Sequence, residues 1–289
     1  MNKNRLSARF QALYMALMQF VESNNDQGVL NALQGFQNDD GGFGHGLEPD
    51  IQLPKSNVAS TDLAISLLDD LPQSNAKETM IQQIVQYYES VFDYDTLSFE
   101  MVPNEVDNYP HAIWWNYDGL DSFTFGNPNP EIAGFLYQYQ NYLQGFPLDT
   151  FINNVIKYLM DTDDEHIQMH VLISYLLFYK RVSLDIKQRI KPRLVTLLQQ
   201  HLQTEPESWS SYGLEPYKVY RIAPEFMEAY QDSLAVNILQ KERLLQEGEL
   251  LPNWSWNQYD DVFQQVKYDW AVWMEYDVTY VLQQWKKQL

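Results

Sequence analysis

Apolar residues recur at intervals of three and four along most of the chain. In the first such segment this spacing relates Leu6, Phe10, Leu13, Leu17 and Phe20. It places apolar side chains on one face and is typical of amphipathic helices. The pattern predicts helices at residues 6–21, 29–36, 58–71, 75–92, 131–143, 148–160, 164–180, 184–202, 225–246 and 270–287. We find no convincing alternation of apolar and polar residues, so we predict an all-α fold.

Turn-forming residues mark several ends of these helices. Pro72 ends the helix at residues 58–71, and Asn57 or Ser60 can cap its start. The run Asn-Pro-Asn-Pro at residues 127–130 is a turn and helix-start signal. Three longer stretches read as irregular, at residues 93–109, 203–224 and 247–268.

A glycine-rich segment, QNDDGGFGHGLEPD at residues 37–50, joins two of the predicted helices. Its glycines permit positive φ angles and close approach of the backbone to its neighbours. Phe43 supplies an apolar anchor between helices, and Asp39 and Asp40 can cap the next turn. We therefore expect the segment to combine a packing role with candidate chemistry.

Internal repeats accompany this segment. The motif GLEP at residues 46–49 recurs at residues 213–216, and a third aromatic loop, LPNWSW, lies at residues 251–256. Helix pairs separated by such loops indicate a repeat architecture that buries its core by stacking or by closing into a ring. No low-complexity linker interrupts the chain, so we predict one domain over residues 1–289.

The repeat also separates the polar loop residues into those that recur in both copies and those that do not. Glu48 and Glu215 occupy equivalent positions in the two GLEP copies, which favours a structural role for both. His45 and Asp50 are not repeated, so we select them as candidate catalytic residues.

The composition excludes several classes of function. The formal charge of −20 argues against nucleic acid as a partner and against docking on anionic lipid. The absence of cysteine excludes disulfides, thiolate catalysis and cysteine-bound zinc. The longest apolar stretch, residues 171–179, is too short for a transmembrane segment. We expect a cytoplasmic protein that acts on a small-molecule substrate.

An acidic cluster at residues 161–165 supplies a further catalytic candidate. Crowded carboxylates raise one another's pKa, which would keep Asp163 protonated as a general acid. The structural alternative is that these carboxylates cap the helix that follows. On that helix His166 and His170 lie four residues apart, hence on one face, and are candidate ligands of a divalent metal. No other cofactor is predicted.

Aromatic residues are abundant, at 15% of the chain. Those in the loops form a candidate wall for ligand binding, because such rings bind cations and also stack on sugar faces. The alternative is a packed core. The candidate ligand-binding residues are His111, Trp114, Trp115, Tyr117, Trp254 and Trp256.

The sequence QNDDGGFG at residues 37–44 resembles the Q-x-x-D-G-G-F/W-G repeat of the terpenoid cyclase and protein prenyltransferase superfamily. The segment STDLAISLL at residues 60–68 is similar to the helix that follows that loop. The resemblance implies an α/α toroid, with inner and outer helices around a funnel. The residues DTDD at 161–164 also match the acidic motif of squalene–hopene cyclases, which would make Asp163 the proton donor. The prenyltransferase zinc site includes a cysteine, so it is absent from this chain.

Three functions remain open at this point. The first is an acid-catalysed enzyme acting on a hydrophobic or isoprenoid-like ligand, and the second is a carbohydrate-active α/α toroid that uses paired carboxylates. The third is a non-catalytic ligand-binding toroid. A polar groove with two carboxylates would favour the sugar, whereas an apolar funnel would favour the isoprenoid.

Overall fold

The computed structural model describes residues 3–119 and 125–287 and confirms an all-α fold over those ranges. Eleven α-helices are present there. Their bounds are α1 Ala8–Ser23, α2 Gln27–Gln34, α3 Val58–Leu68, α4 Asn75–Val91, α5 Asn129–Gln138, α6 Leu148–Asp161, α7 Met169–Arg181, α8 Leu184–His201, α9 Pro216–Ile222, α10 Gln231–Glu247 and α11 Asp260–Lys286. Within the described residues, no helix is both long and apolar enough to span a membrane.

Most helices lie within a few residues of their predicted positions, and five differ. Helix α5 ends five residues early, at Gln138, and α10 begins six residues late, at Gln231, after a 3₁₀ helix at Pro224–Tyr230. Helix α7 begins at Met169, because an extended segment separates it from the 3₁₀ turn at Asp164–His166. Helix α9 was not predicted, since its seven residues are too few to show a helical period. Helix α11 begins ten residues early, in a mostly polar stretch where Phe263 and Val266 are the buried apolar residues.

The stretch between α4 and α5 contains the two strands found in the described residues. They are β1 (Phe92–Asp93) and β2 (Ser98–Phe99), which pair antiparallel. The side chain of Asn129, at the start of α5, accepts a hydrogen bond of 2.9 Å from the Phe99 backbone. This small hairpin therefore fixes the beginning of α5.

The odd-numbered helices pack beside one another. Helix α5 lies between α3 and α7, and α9 lies between α7 and α11. Each of α4, α6, α8 and α10 packs against the odd-numbered helix that precedes it in the chain, and the first and last helices, α1 and α11, are also in contact. One apolar cluster includes buried side chains from all eleven helices.

The loops that lead into the odd-numbered helices meet one another. The backbone of Ala112 donates to the Asp50 carbonyl over 2.9 Å, and that of Ile113 donates to Trp256 over 3.1 Å. His170, in the first turn of α7, is hydrogen-bonded over 2.6 Å to Tyr212 on the loop before α9. Loops from distant parts of the sequence therefore build one common region.

The glycine-rich loop packs too tightly for larger residues. Phe43 is fully buried, and the Asp40 carboxylate accepts hydrogen bonds from the Gly42 backbone and the Ser56 hydroxyl. A Cβ atom on Gly44 would lie 2.3 Å from the Lys55 carbonyl oxygen. The backbone of Pro54 and Lys55 leaves no room for it, which explains the glycine at this position.

We predict that Gly44→Ala destabilises the protein by about 1–3 kcal/mol, because the added methyl group overlaps backbone. Gly28→Ala is the matched control: its Cβ would lie 3.5 Å from Ala16, an ordinary contact, and alanine favours the helix. Urea unfolding measures both changes. Equal stability of the two variants would contradict this packing.

Candidate functional site

Asp50 lies at the centre of the region where the loops meet. It is buried, and its Oδ1 accepts hydrogen bonds from the indole N–H of Trp256 over 2.5 Å and of Trp270 over 2.7 Å. Burial raises the pKa of Asp50 to about 6, although the indole N–H groups favour the charged form. This carboxylate is held by neutral donors.

Glu48 forms a carboxyl pair with Asp50. Its Oε1 accepts a 3.3 Å hydrogen bond from the Asp50 backbone, and its side chain is buried. Burial, followed by the Asp50 charge, raises the pKa of Glu48 well above its usual range. The two environments therefore differ: burial and the Asp50 charge favour the neutral form of Glu48, whereas indole N–H groups favour the charged form of Asp50.

A second carboxyl pair joins helices α3 and α5. Burial, together with the charge of Glu131, raises the pKa of Asp62 well above its usual range, and the Glu48 charge acts in the same direction. Burial also raises the pKa of Glu131, but Arg181 opposes it with an ion pair of 3.3 Å. Burial and the neighbouring carboxyl groups therefore favour the neutral form of Asp62.

Further polar atoms surround these carboxyls. The indole N–H of Trp115 interacts with the Glu48 carboxyl and that of Trp254 with the Asp50 carboxyl, and both interactions favour the charged form. One buried oxygen of Asp62 has no hydrogen-bond partner among the described residues. Such an atom costs about 1–3 kcal/mol when it stays unpaired, so a bound polar group would stabilise this region.

Aromatic rings connect the carboxyls to solvent. The Trp254 ring makes edge contacts with Trp270 and with Tyr212, each at 5.5 Å between ring centres. Tyr212 is 50% exposed, yet burial and the charges of Asp50 and Glu48 raise its pKa to about 12. Tyr212 therefore lies at the exposed end of a series of aromatic contacts that leads to Asp50.

A further set of charges lies between α3, α9 and α11. Arg221 binds Asp70 and Asp277, with 3.2 Å between its Nε and the Asp277 carboxylate, and Tyr276 donates to Asp70 over 3.0 Å. Burial raises the pKa of Asp277, although its side chain stays 44% exposed. The Asp277 side chain is therefore in contact with water, although many protein atoms lie around it.

The acidic cluster at residues 161–165 lies apart from these carboxyls. Asp163 is exposed, Asp161 forms an ion pair with Lys157, and Asp164 is bound by Arg193 and Gln200. The hydrogen bond from Arg193 lowers the pKa of Asp164. The expected crowding does not occur, because separate partners hold the neighbours of Asp163.

The predicted pairing of His166 and His170 on one helical face is wrong. His166 lies in the 3₁₀ turn, His170 lies in α7, and extended backbone at Ile167 and Gln168 separates them. His166 is exposed, whereas His170 is bound to Tyr212. In the part of the chain that the structure describes, no three His, Asp or Glu side chains are arranged to hold a metal ion.

Some of the other predicted residues lie at these carboxyls, and the rest lie elsewhere in the molecule. Trp256 and Trp254 lie at Asp50, and Trp115 lies at Glu48. The remaining ones take other positions: His111 is buried and bonded to Asn116, Trp114 is 46% exposed, Tyr117 interacts with Glu100, and His45 contacts Asn38.

Sequence reasoning missed Asp62, Glu131, Trp270 and Tyr212 and treated Glu48 as structural. A signal was present for two of them. Asp62 and Glu131 are the only charged residues of helices α3 and α5, whose other residues are mostly buried. A lone acid in a buried helix is costly unless paired, and it marks a candidate functional group.

Comparison of the chain with models of protein families, with curated proteins and with solved structures finds no significant match.

We predict that Asp50→Asn reduces the dependence of stability on pH. The pKa of Asp50 is about 6 in the folded protein, and the ordinary value is 3.8. Protonated Asp50 therefore stabilises the fold below about pH 4, and this stabilisation is lost as the pH rises through 6. The free energy of unfolding falls by about 2–3 kcal/mol as a result. Urea unfolding at pH 4 and pH 7 measures it.

Asp163→Asn is the control, since this exposed side chain is expected to leave the dependence unchanged. Burial also raises the pKa of Asp269 to about 6, so Asp269 still contributes to the pH dependence of stability in both variants. An Asp50→Asn variant with the full wild-type dependence would contradict the assignment.

Proposed function

We propose that the odd-numbered helices α3, α5, α7, α9 and α11 form the inner ring of an α/α toroid. The order of helix contacts supports this arrangement, with the even-numbered helices packed outside. Contacts of Asp70 with Arg221 and Tyr276 link the end of α3 to α9 and α11, as a closed ring requires. The tightly packed glycine loop before α3 supports a distant relation to the terpenoid cyclase and prenyltransferase superfamily.

We further propose that the protein is a carbohydrate-active enzyme that cleaves a glycosidic bond. The observation that carries this function is the Glu48–Asp50 pair, whose pKa values differ and which lies among aromatic side chains. Glycoside cleavage needs one protonated and one ionised carboxyl group. Indole and phenol rings are also suitable platforms for sugar faces.

The residues divide the reaction between them. Glu48 donates its proton to the glycosidic oxygen, and the bond from that oxygen to the anomeric carbon breaks. The Asp50 carboxylate then stabilises the positive charge that develops at the sugar ring, or accepts a proton from the attacking water. Trp256 and Trp270 keep Asp50 ionised and oriented.

The polarity of the groups around Asp50 favours a sugar over an isoprenoid. An isoprenoid would leave the free oxygen of Asp62 unpaired and would bring no polar group to the buried carboxyls. Sugar hydroxyl groups both donate and accept hydrogen bonds, so they can pair with these oxygens.

We expect a panel of oligosaccharides and aryl glycosides to contain a substrate, detected by release of reducing sugar or of the aryl group. Glu48→Gln and Asp50→Asn should each lower kcat/KM on it by about 10²–10⁴-fold. The rate should rise with pH on the acid side near pH 6, where Asp50 ionises.

Asp163→Asn is the matched control and should retain wild-type activity. Circular dichroism verifies that each variant is folded. Failure of the whole panel, or full activity of both site variants, would refute the proposal. Turnover of farnesyl diphosphate or squalene that depends on Asp50 would instead assign the site to isoprenoids.

A further inference from the structure

A concave region lies beside the start of α11, and its lining does not include Asp50. It is a cleft of about 730 Å³ between the start of α1, the glycine-rich loop and the first turns of α11, and we call it the α1–α11 cleft. Its charged and aromatic lining consists of Arg5, Arg9, His45, Lys267, Tyr268 and Asp269. The volume is within the range of small-molecule sites.

Three cations converge on this cleft in a chain whose net charge is −20. The partners of all three are neutral: Arg5 donates to the Tyr268 hydroxyl, Arg9 to the Gly35 carbonyl over 2.7 Å, and Lys267 to a side-chain oxygen over 2.5 Å. Among the described residues, none of the three forms an ion pair. Their charges are therefore available to a ligand.

The geometry of these cations suits an anion with several oxygens. Arg9 uses only Nε in its hydrogen bond, so its two terminal nitrogens have no partner among the described residues. The Arg5 guanidinium and the Lys267 amine lie 4.9 Å and 5.4 Å from the centre of the Tyr268 ring. Both charges are thus held beside one aromatic platform.

The remaining titratable groups leave the cleft positive. Asp269 is the one carboxylate of its lining, and it accepts a 3.0 Å hydrogen bond from the Ser7 backbone. Burial, and then the charge of Arg9, lower the pKa of His45, so this ring is neutral at neutral pH. Three cations and one carboxylate give a net charge of about +2.

We propose that the α1–α11 cleft binds a small phosphate-bearing anion with at least two negative charges. A guanidinium group offers paired donors to phosphate oxygens, and the lysine adds a point charge. This site is separate from the Glu48–Asp50 pair. On α11, Asp269 lines the cleft, whereas the neighbouring Trp270 donates a hydrogen bond to Asp50.

Isothermal titration with pyrophosphate tests the proposal. We expect saturable binding that weakens as salt is added, because the cations of the cleft are partly exposed. Arg9→Gln and Lys267→Gln should each weaken binding about tenfold. The charge-matched control Arg189→Gln, on the exposed surface of α8, should bind as the wild type does.

Two further measurements complete the test. Asp50→Asn should bind pyrophosphate normally, which separates this cleft from the proposed sugar site. Citrate, a tricarboxylate, should bind more weakly than pyrophosphate. Absence of pyrophosphate binding, an equal loss in Arg189→Gln, or citrate binding at least as tight would overturn the proposal.

Discussion

The interior of this protein contains more buried carboxyl groups than buried cations that could pair with them. Two arginines bind carboxylates between the odd-numbered helices: Arg181 binds Asp69 and Glu131, and Arg221 binds Asp70 and Asp277. Removal of one partner of a buried ion pair typically costs about 3–5 kcal/mol. These arginines therefore hold α3, α5, α7, α9 and α11 in their relative positions.

The carboxyl groups that these arginines do not bind include the candidate catalytic groups. Glu48, Asp50 and Asp62 are buried without an ion pair among the described residues, so burial raises the pKa of each. Burial also raises the pKa of Asp69, but Arg181 and Lys180 outweigh it and lower the pKa overall. The arginines therefore oppose the effect of burial on the pKa of the carboxyl groups that they bind, and at Asp69 they reverse it.

The sequence predicts the helices well because their apolar spacing is local information. It identifies Asp50 for a related reason, since the glycine-rich loop around it is unusual. It assigns Asp163 as an acid because DTDD resembles a catalytic motif, but exposure depends on tertiary packing that no local pattern contains. The same limit hides Trp270, which lies 220 positions from its partner Asp50.

The two GLEP copies illustrate this limit. Glu215 is bound by Lys241 over 2.6 Å and by Asn237 over 2.9 Å, as a structural carboxylate is. Glu48 occupies the equivalent position, but its neighbour is Asp50, another acid. Identical local sequence therefore acquires different roles from residues that are distant in the chain.

Carboxyl-carbon NMR titration of the protein labelled at Asp and Glu tests this account most directly. It predicts an aspartate resonance that titrates near pH 6 and disappears in Asp50→Asn, together with a glutamate that stays protonated above its usual range and is lost in Glu48→Gln. A protein in which every carboxyl group titrates below about pH 5 would contradict it.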